Sequence, residues 1–267
     1  MTTKELSPKL NEIITAKRKA LEQRRAKTPI AALRALASMQ SRPNPILSDV
    51  TPADEPIVII GQVKHTLSHN GQLVYDPVGA ALRYQNLGVD AIALFTDEIV
   101  YANGLDDLMF VSRGVDLPVI SQDYVLHEYQ IIEARAAGAS ALMLSASVLD
   151  PPTLRALISD TQRNRMTAIV EVHNLAELEY ALTLSPHVIG ISSDNPFTPE
   201  IELDLAMTRR MRSLIPSHIR VMVMENLQTM EQVQEIASLE VDAMMVSESM
   251  INIARNAKFL REALNPS

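Results

Sequence analysis

From residue 57 onward, short apolar runs alternate with longer segments whose apolar residues recur every three to four positions. The short runs, at 57–63, 91–95, 118–121, 141–144, 168–172, 188–191, 221–224 and 243–246, carry Val, Ile, Leu or Met at successive positions rather than at every second one. Strands apolar on both faces are those of a parallel sheet covered by helices. Helical segments are predicted to begin near Pro77, Leu105, Glu128, Pro151, Leu175, Leu203, Thr229 and Asn252, one behind each strand. A strand-then-helix succession permits an open doubly wound sheet as well, but eight regular units favour an α/β fold closed into a (β/α)8 barrel. In such a barrel the chemistry sits at the carboxyl ends of the strands.

A different pattern precedes the first strand. Between Leu6 and Met39 the periodicity is helical, with Leu10, Ile13, Ile14, Lys17 and Leu21 on one stripe and Lys17, Arg18, Lys19, Arg24 and Arg25 on a basic stripe beside it. The basic stripe reads as a solvated helix face. A second short helix is expected after Pro29. Four prolines between Ser41 and Pro56 then predict an extended connector. The organisation is therefore a helical extension and connector over 1–56 and the barrel over 57–267, in one domain.

Composition narrows the function classes. With 47% hydrophobic and 21% charged residues over 267 positions, the chain has enough apolar surface to fold around one core. Its net charge of −8 provides no broad positive field for nucleic acid or an acidic membrane. No cysteine is present, so there is no disulfide, thiolate nucleophile or cysteine zinc site, in keeping with a reducing compartment. Met1 to Lys9 lack an apolar h-region, and no run approaches the roughly 18 apolar residues of a membrane span, so a cytoplasmic protein is expected. His65 and His69 are four apart but fall in a predicted loop without the carboxylate pattern of a zinc hydrolase, and no metal is expected. No glycine-rich nucleotide loop is present, and no cofactor is expected.

Several blocks carry a resemblance. They are Asp76-Pro77, Thr96-Asp97-Glu98, Gly104-Leu105 with Asp107-Leu108, Leu117-Pro118-Val119, Asp123-Tyr124, Tyr129-Gln130-Ile131, the run from Glu133 to Ala139, Val170-Glu171-Val172-His173 and Ile189-Gly190-Ile191. In this order, behind the opening helix with Leu10, Ile13, Lys17 and Arg18, they resemble the indole-3-glycerol phosphate synthase family over nearly the whole chain. The resemblance implies a (β/α)8 barrel and a decarboxylating closure of an indole ring in tryptophan biosynthesis.

Carried over position by position, the family's site is only partly present. Lys64 and Glu171, the latter the family's general base, are retained. Gln62 stands where the resemblance calls for a glutamate, and Gln122 where it calls for the general-acid lysine. An amide has no ionisation near neutral pH and delivers no such proton. Ser192 and Asp194 replace an asparagine and an arginine, so a cation becomes an anion. At the family's phosphate site Glu225 is retained, Asn226-Leu227 replaces Ser-Gly, and Ser247-Glu248 replaces Gly-Ser. A Glu248 carboxylate about 5 Å from a phosphate costs roughly 3 kcal/mol at an effective dielectric near 20. That exceeds a helix-dipole contribution of roughly 0.3–2 kcal/mol.

These substitutions lead to an expectation of absent or very weak family activity, with a pseudoenzyme in a binding, regulatory or scaffold role. A protein partner then becomes a candidate, and any small-molecule ligand stays open. Met224, Met230 and Met250 either offer an adaptable apolar surface near the mouth or simply pack the core. One alternative is an altered enzyme acting on another small molecule through Lys64 and Glu171, with His173 and Glu225 on hand and Lys64 as a Schiff-base nucleophile. The other is a functional though divergent synthase.

Overall fold

The computed structural model describes residues 7–47, 57–64, 66–67, 73–99, 104–192, 204–224 and 227–264. Eight strands form one closed, all-parallel barrel: β1 (Val58–Val63), β2 (Ala91–Phe95), β3 (Val119–Gln122), β4 (Ala141–Ser145), β5 (Thr167–Val172), β6 (Val188–Ile191), β7 (Arg220–Val223) and β8 (Ala243–Val246). Each strand pairs with its neighbours in sequence, and β8 closes on β1 through Val58–Ala243 and Gly61–Val246. Thr66–Leu67 and Leu73–Val74 form a small antiparallel hairpin beyond β1.

Strand alternation separates two apolar cores. One set of side chains points out and packs under the helices, as Ile59, Leu94, Leu142, Val170, Val221 and Met244 do. The other set fills the barrel in layers supplied alternately by even and odd strands. Ala91, Ala141, Val188 and Ala243 make one layer, and Ile60, Ile120, Ile169 and Met222 the next. Ala93, Met143 and Met245 lie above them, where Gly190 completes the set. Ile46 and Leu47 join this inner cluster from the stretch ahead of β1, and the Thr167 hydroxyl donates to the Ile46 carbonyl at 3.0 Å.

The covering helices are α3 (Pro77–Asn86), α4 (Gly104–Gly114), α5 (Glu128–Ala136), α6 (Pro151–Arg163), α7 (Leu175–Leu182), α8 (Leu205–Leu214) and α9 (Met230–Ala237), followed by α10 (Glu248–Ile253) and α11 (Ala257–Leu264). Local chemistry starts them. Asp76 and Asp150 cap α3 and α6 ahead of a proline in the first turn, Asn174 caps α7, and Thr229 with Gln232 forms a capping box on α9. Two predicted starts shift. Helix α8 begins at Leu205, because Asp204 is its cap and accepts from the Met207 amide at 2.9 Å. The last helix, expected from Asn252, is two helices broken where Arg255 takes a positive φ of 69° and Asn256 accepts from the Phe259 amide at 3.0 Å. None of the helices among the described residues is long and apolar enough to cross a membrane.

The extension is two helices, α1 (Pro8–Lys27) and α2 (Ile30–Met39), separated at Thr28-Pro29. Leu21, Leu33 and Ala37 pack on Tyr129 and Ile132 of α5. The Tyr129 hydroxyl, positioned to donate to the Thr28 and Arg24 carbonyls at 2.9 and 3.1 Å, pins the junction. The basic stripe of α1 is not wholly solvated, contrary to its reading from sequence. Arg18, Lys19 and Arg25 are exposed, but Lys17 is fully buried and Arg24 half-buried, because both meet carboxylates of the barrel. Of the three methionines, Met224 and Met250 are buried and Met230 packs against the outer core, so core packing describes them.

Candidate active site

The uppermost layer of the barrel interior comes from the odd strands and is where the apolar filling gives way to polar groups. Gln62 on β1, Gln122 on β3 and Glu171 on β5 follow Ile60, Ile120 and Ile169 by two residues each, so they share the inward face one layer higher. Met224, just past β7, holds the fourth position. Its side chain occupies the space above Gly190, where an added Cβ would lie 2.9 Å from the methionine methyl.

The two glutamines meet across the barrel. The Gln62 amide nitrogen donates to Gln122 Oε1 at 3.1 Å, over a sequence separation of 60 residues. Gln122 is buried and Gln62 half-buried. Gln62 is further fixed by its own backbone, whose carbonyl accepts from the Tyr84 hydroxyl of α3 at 2.9 Å. The Tyr84 ring covers Gly61 so closely that a Cβ there would sit 2.5 Å from ring carbons. Burial, followed by the field of Glu248, pushes the Tyr84 phenol well above its ordinary range, so it stays a neutral donor.

Around this layer stand further groups. Lys64 follows Gln62 by two and is half-buried, and Ser192 follows Gly190 by two and is buried. Tyr124 follows Gln122 by two, and burial together with the field of Glu171 drives its phenol pKa upward, which makes it a permanent hydroxyl near the general-base position. Glu171 lies 3.7 Å from His173 Nε2. The other ring nitrogen, Nδ1, is 3.0 Å from Oε2 of Glu177, a buried residue in the first turn of α7 that also accepts from the His173 amide at 2.9 Å. Glu177 thereby fixes the imidazole with Nε2 toward Glu171.

The side that would face a substrate phosphate is built differently from the sequence expectation. Leu227 is buried and belongs to the outer core. Ser247 caps α10 and accepts from the Met250 amide at 3.3 Å. Glu248 is held by Arg83 of α3 in a two-pronged contact, Nε to Oε1 at 2.7 Å and Nη2 to Oε2 at 3.4 Å. The repulsion assigned to Glu248 from sequence assumed an uncompensated carboxylate, and the guanidinium offsets part of that field. Asp194, Glu225, Asn226, His65 and His69 lie outside the described residues.

A second charged cluster sits beside the mouth, above β2 and β3. Lys17 Nζ lies 2.5 Å from Asp123, 3.0 Å from Glu98 and 3.3 Å from Asp97. Arg24 bridges Glu98 and, with Nε at 2.9 Å, Glu133 of α5. Burial alone disfavours the charged lysine, but the combined fields of Asp123, Asp97 and Glu98 outweigh it and hold its pKa above the usual value. Burial pushes the Asp123 carboxyl up to about 7 despite the ammonium beside it. Asp97, Glu98 and Asp123 are spaced as three cation ligands would be, and the lysine ammonium serves as that cation. Sequence reasoning gave these groups no site role. The available signal was a lysine on the apolar stripe of α1.

Comparison with known proteins follows the same lines. A family model described as indole-3-glycerol phosphate synthase matches residues 10–263. Relatives with that name include one from Roseiflexus sp. (strain RS-1), 34% identical over 265 residues that span 95% of this chain and 97% of the relative. Another, from Dehalococcoides mccartyi (strain CBDB1), is 32% identical over 260 residues, 96% of this chain and 99% of its own.

Proposed function

The chain belongs to the indole-3-glycerol phosphate synthase family, and from that footing we propose that its mouth has lost the proton transfer of the family's ring closure and serves a binding, regulatory or scaffold role. The observation that carries this reading is the Gln62–Gln122 hydrogen bond at 3.1 Å. The resemblance calls for a glutamate and a general-acid lysine at these two positions, one anion and one cation. Here two amides in hydrogen-bond contact carry neither charge. General acid–base catalysis contributes roughly 10²–10⁴ in rate, and neither amide supplies it near neutral pH. Binding does not need the lost proton. Lys64, Glu171 and Tyr124 retain a cation, an anion and a hydroxyl for a small molecule, and a partner protein is the other candidate occupant of a cytoplasmic barrel of this kind. Steady-state assay of the purified chain with the family's substrate tests the reading. Turnover at least about 10²-fold below the roughly 1–10³ s⁻¹ usual for enzymes is expected, and a rate inside that range overturns it.

One observation favours a second reading, an altered enzyme working through Lys64 and Glu171. His173, fixed by Glu177 and 3.7 Å from Glu171, is a titratable group placed where an acid–base pair would operate. Borohydride reduction in the presence of small carbonyl compounds, followed by peptide mapping, distinguishes it. A covalent adduct on Lys64 supports an altered enzyme, and recovery of the unmodified peptide with every carbonyl tried leaves the binding role as the better account.

A further inference from the structure

Far from the mouth, a groove of about 600 Å³ runs between α2, α5 and the end of α6. Five of the chain's 24 lysines and arginines line it: Arg34, Arg42, Arg135, Arg163 and Arg165. Only Glu128 and Asp160 oppose them among its lining residues, on a chain whose net charge is −8. Asp160 is already taken by Arg163. Among the described residues no carboxylate lies within 4 Å of the guanidinium of Arg34, Arg42, Arg135 or Arg165.

Arg135 is the most telling of the four. It is 8% exposed, and among the described residues its Nη2 donates to backbone carbonyls, those of Gln40 at 3.2 Å and Ser41 at 2.6 Å. Burial, and then the like charge of Arg165, hold its pKa below the usual arginine value, and both residues line the groove. Arg165 is presented from a residue with a positive φ of 62°, directly behind α6. Arg135 and Arg163 to Arg165 lie at the carboxyl ends of α5 and α6, which offer no free N–H groups, so an anion beside them is held by side-chain forks rather than by backbone.

We propose that this groove is a binding site for a small phosphate-bearing molecule with at least two phosphate groups. The volume falls within the roughly 300–1,000 Å³ of small-molecule sites. Planar guanidinium forks match phosphate oxygens two at a time, and four of them without carboxylate partners suit a ligand carrying several negative charges. Ala37 and buried Ile132 supply a short apolar stretch of wall against which the carbon part of an ester would rest.

Isothermal titration of the full chain with inorganic pyrophosphate and with ADP, at ionic strength matched with sodium chloride, tests the site. Binding with Kd below about 1 mM is expected for at least one of them. The double variant Arg34→Ala, Arg165→Asn removes two forks while Asn still accepts the left-handed backbone, and it should weaken that binding at least about tenfold. Arg210→Ala, an exposed arginine on α8, should leave it unchanged. Tighter binding of ADP than of pyrophosphate assigns a part to the apolar wall, and equal binding assigns recognition to the phosphates; both support the site. Absence of binding up to several millimolar, or the same affinity in the double variant as in the parent chain, overturns the proposal.

Discussion

Replacing Lys17 by methionine isolates the charge at the contact between α1 and the barrel. Methionine is close to lysine in length and suits the buried stripe of Leu10, Ile14 and Leu21, so packing changes little. What is lost is the ammonium 2.5–3.3 Å from Asp123, Glu98 and Asp97. Glu98 keeps Arg24, which leaves Asp97 and Asp123 buried without a cation. Breaking a buried pair from one side costs roughly 3–5 kcal/mol, and no discount for solvent applies to a lysine with 0% exposure. At about 2–4 °C per kcal/mol for a chain of this size, Tm should drop by roughly 6–20 °C. The sign of the pH dependence is a second check. In the parent chain the raised lysine pKa makes its contribution complete at neutral pH and lost only as pH rises through the folded-state value. In the Lys17→Met variant the Asp123 carboxyl, already raised to about 7 beside the ammonium, rises further without it, so protonation should shrink the deficit as pH falls from 8 through about 7. Urea or thermal unfolding of both proteins from pH 4 to 8 measures it. A loss under about 1 kcal/mol that does not vary with pH would refute the buried-cluster argument.

The double substitution Gln62→Glu, Gln122→Lys restores the ionisable pair that the resemblance calls for and should raise turnover of the family's substrate by about 10²-fold or more, with each single substitution giving less. Gly61→Ala should destabilise the barrel by roughly 1–3 kcal/mol in chemical unfolding, because its Cβ would meet the buried Tyr84 ring at 2.5 Å. Asp123, with its carboxyl raised to about 7, binds its proton more tightly folded than unfolded, so its contribution to stability falls as pH rises from about 4 to 7. Asp123→Asn should therefore become steadily more stable relative to the parent across that window, as read by Tm against pH.

The barrel was legible because each strand is apolar on both faces and each helix opens on a recognisable cap. Six of the eight covering segments begin within a residue or so of where periodicity and Pro77, Pro151 or Thr229 put them. The exceptions, α8 and the pair α10 and α11, depend on Asp204 and Asn256 as caps, which the apolar pattern does not register. At the site, the identities of Gln62, Gln122 and Glu171 could be read from the blocks around them, but the Gln62–Gln122 contact could not. It joins strands with β2 between them and exists only because the sheet closes and both residues fall on one interior layer. The burial of Lys17 was hidden for the opposite reason. Its place on the apolar stripe is plain in the sequence, yet a lone basic residue is stable there only when carboxylates remote in sequence converge on it, and convergence is a property of the fold.

That convergence also orders events in time. Lys17 reaches Glu98 across 81 residues and Arg24 reaches Glu133 across 109, so each ion pair closes a long loop of chain. Non-local contacts of this span bear the loop-closure entropy first and return their stabilisation last. The amino-terminal helix is thus expected to dock late on its acidic socket, so that refolding regains the barrel's secondary structure before α1 becomes protected from hydrogen exchange.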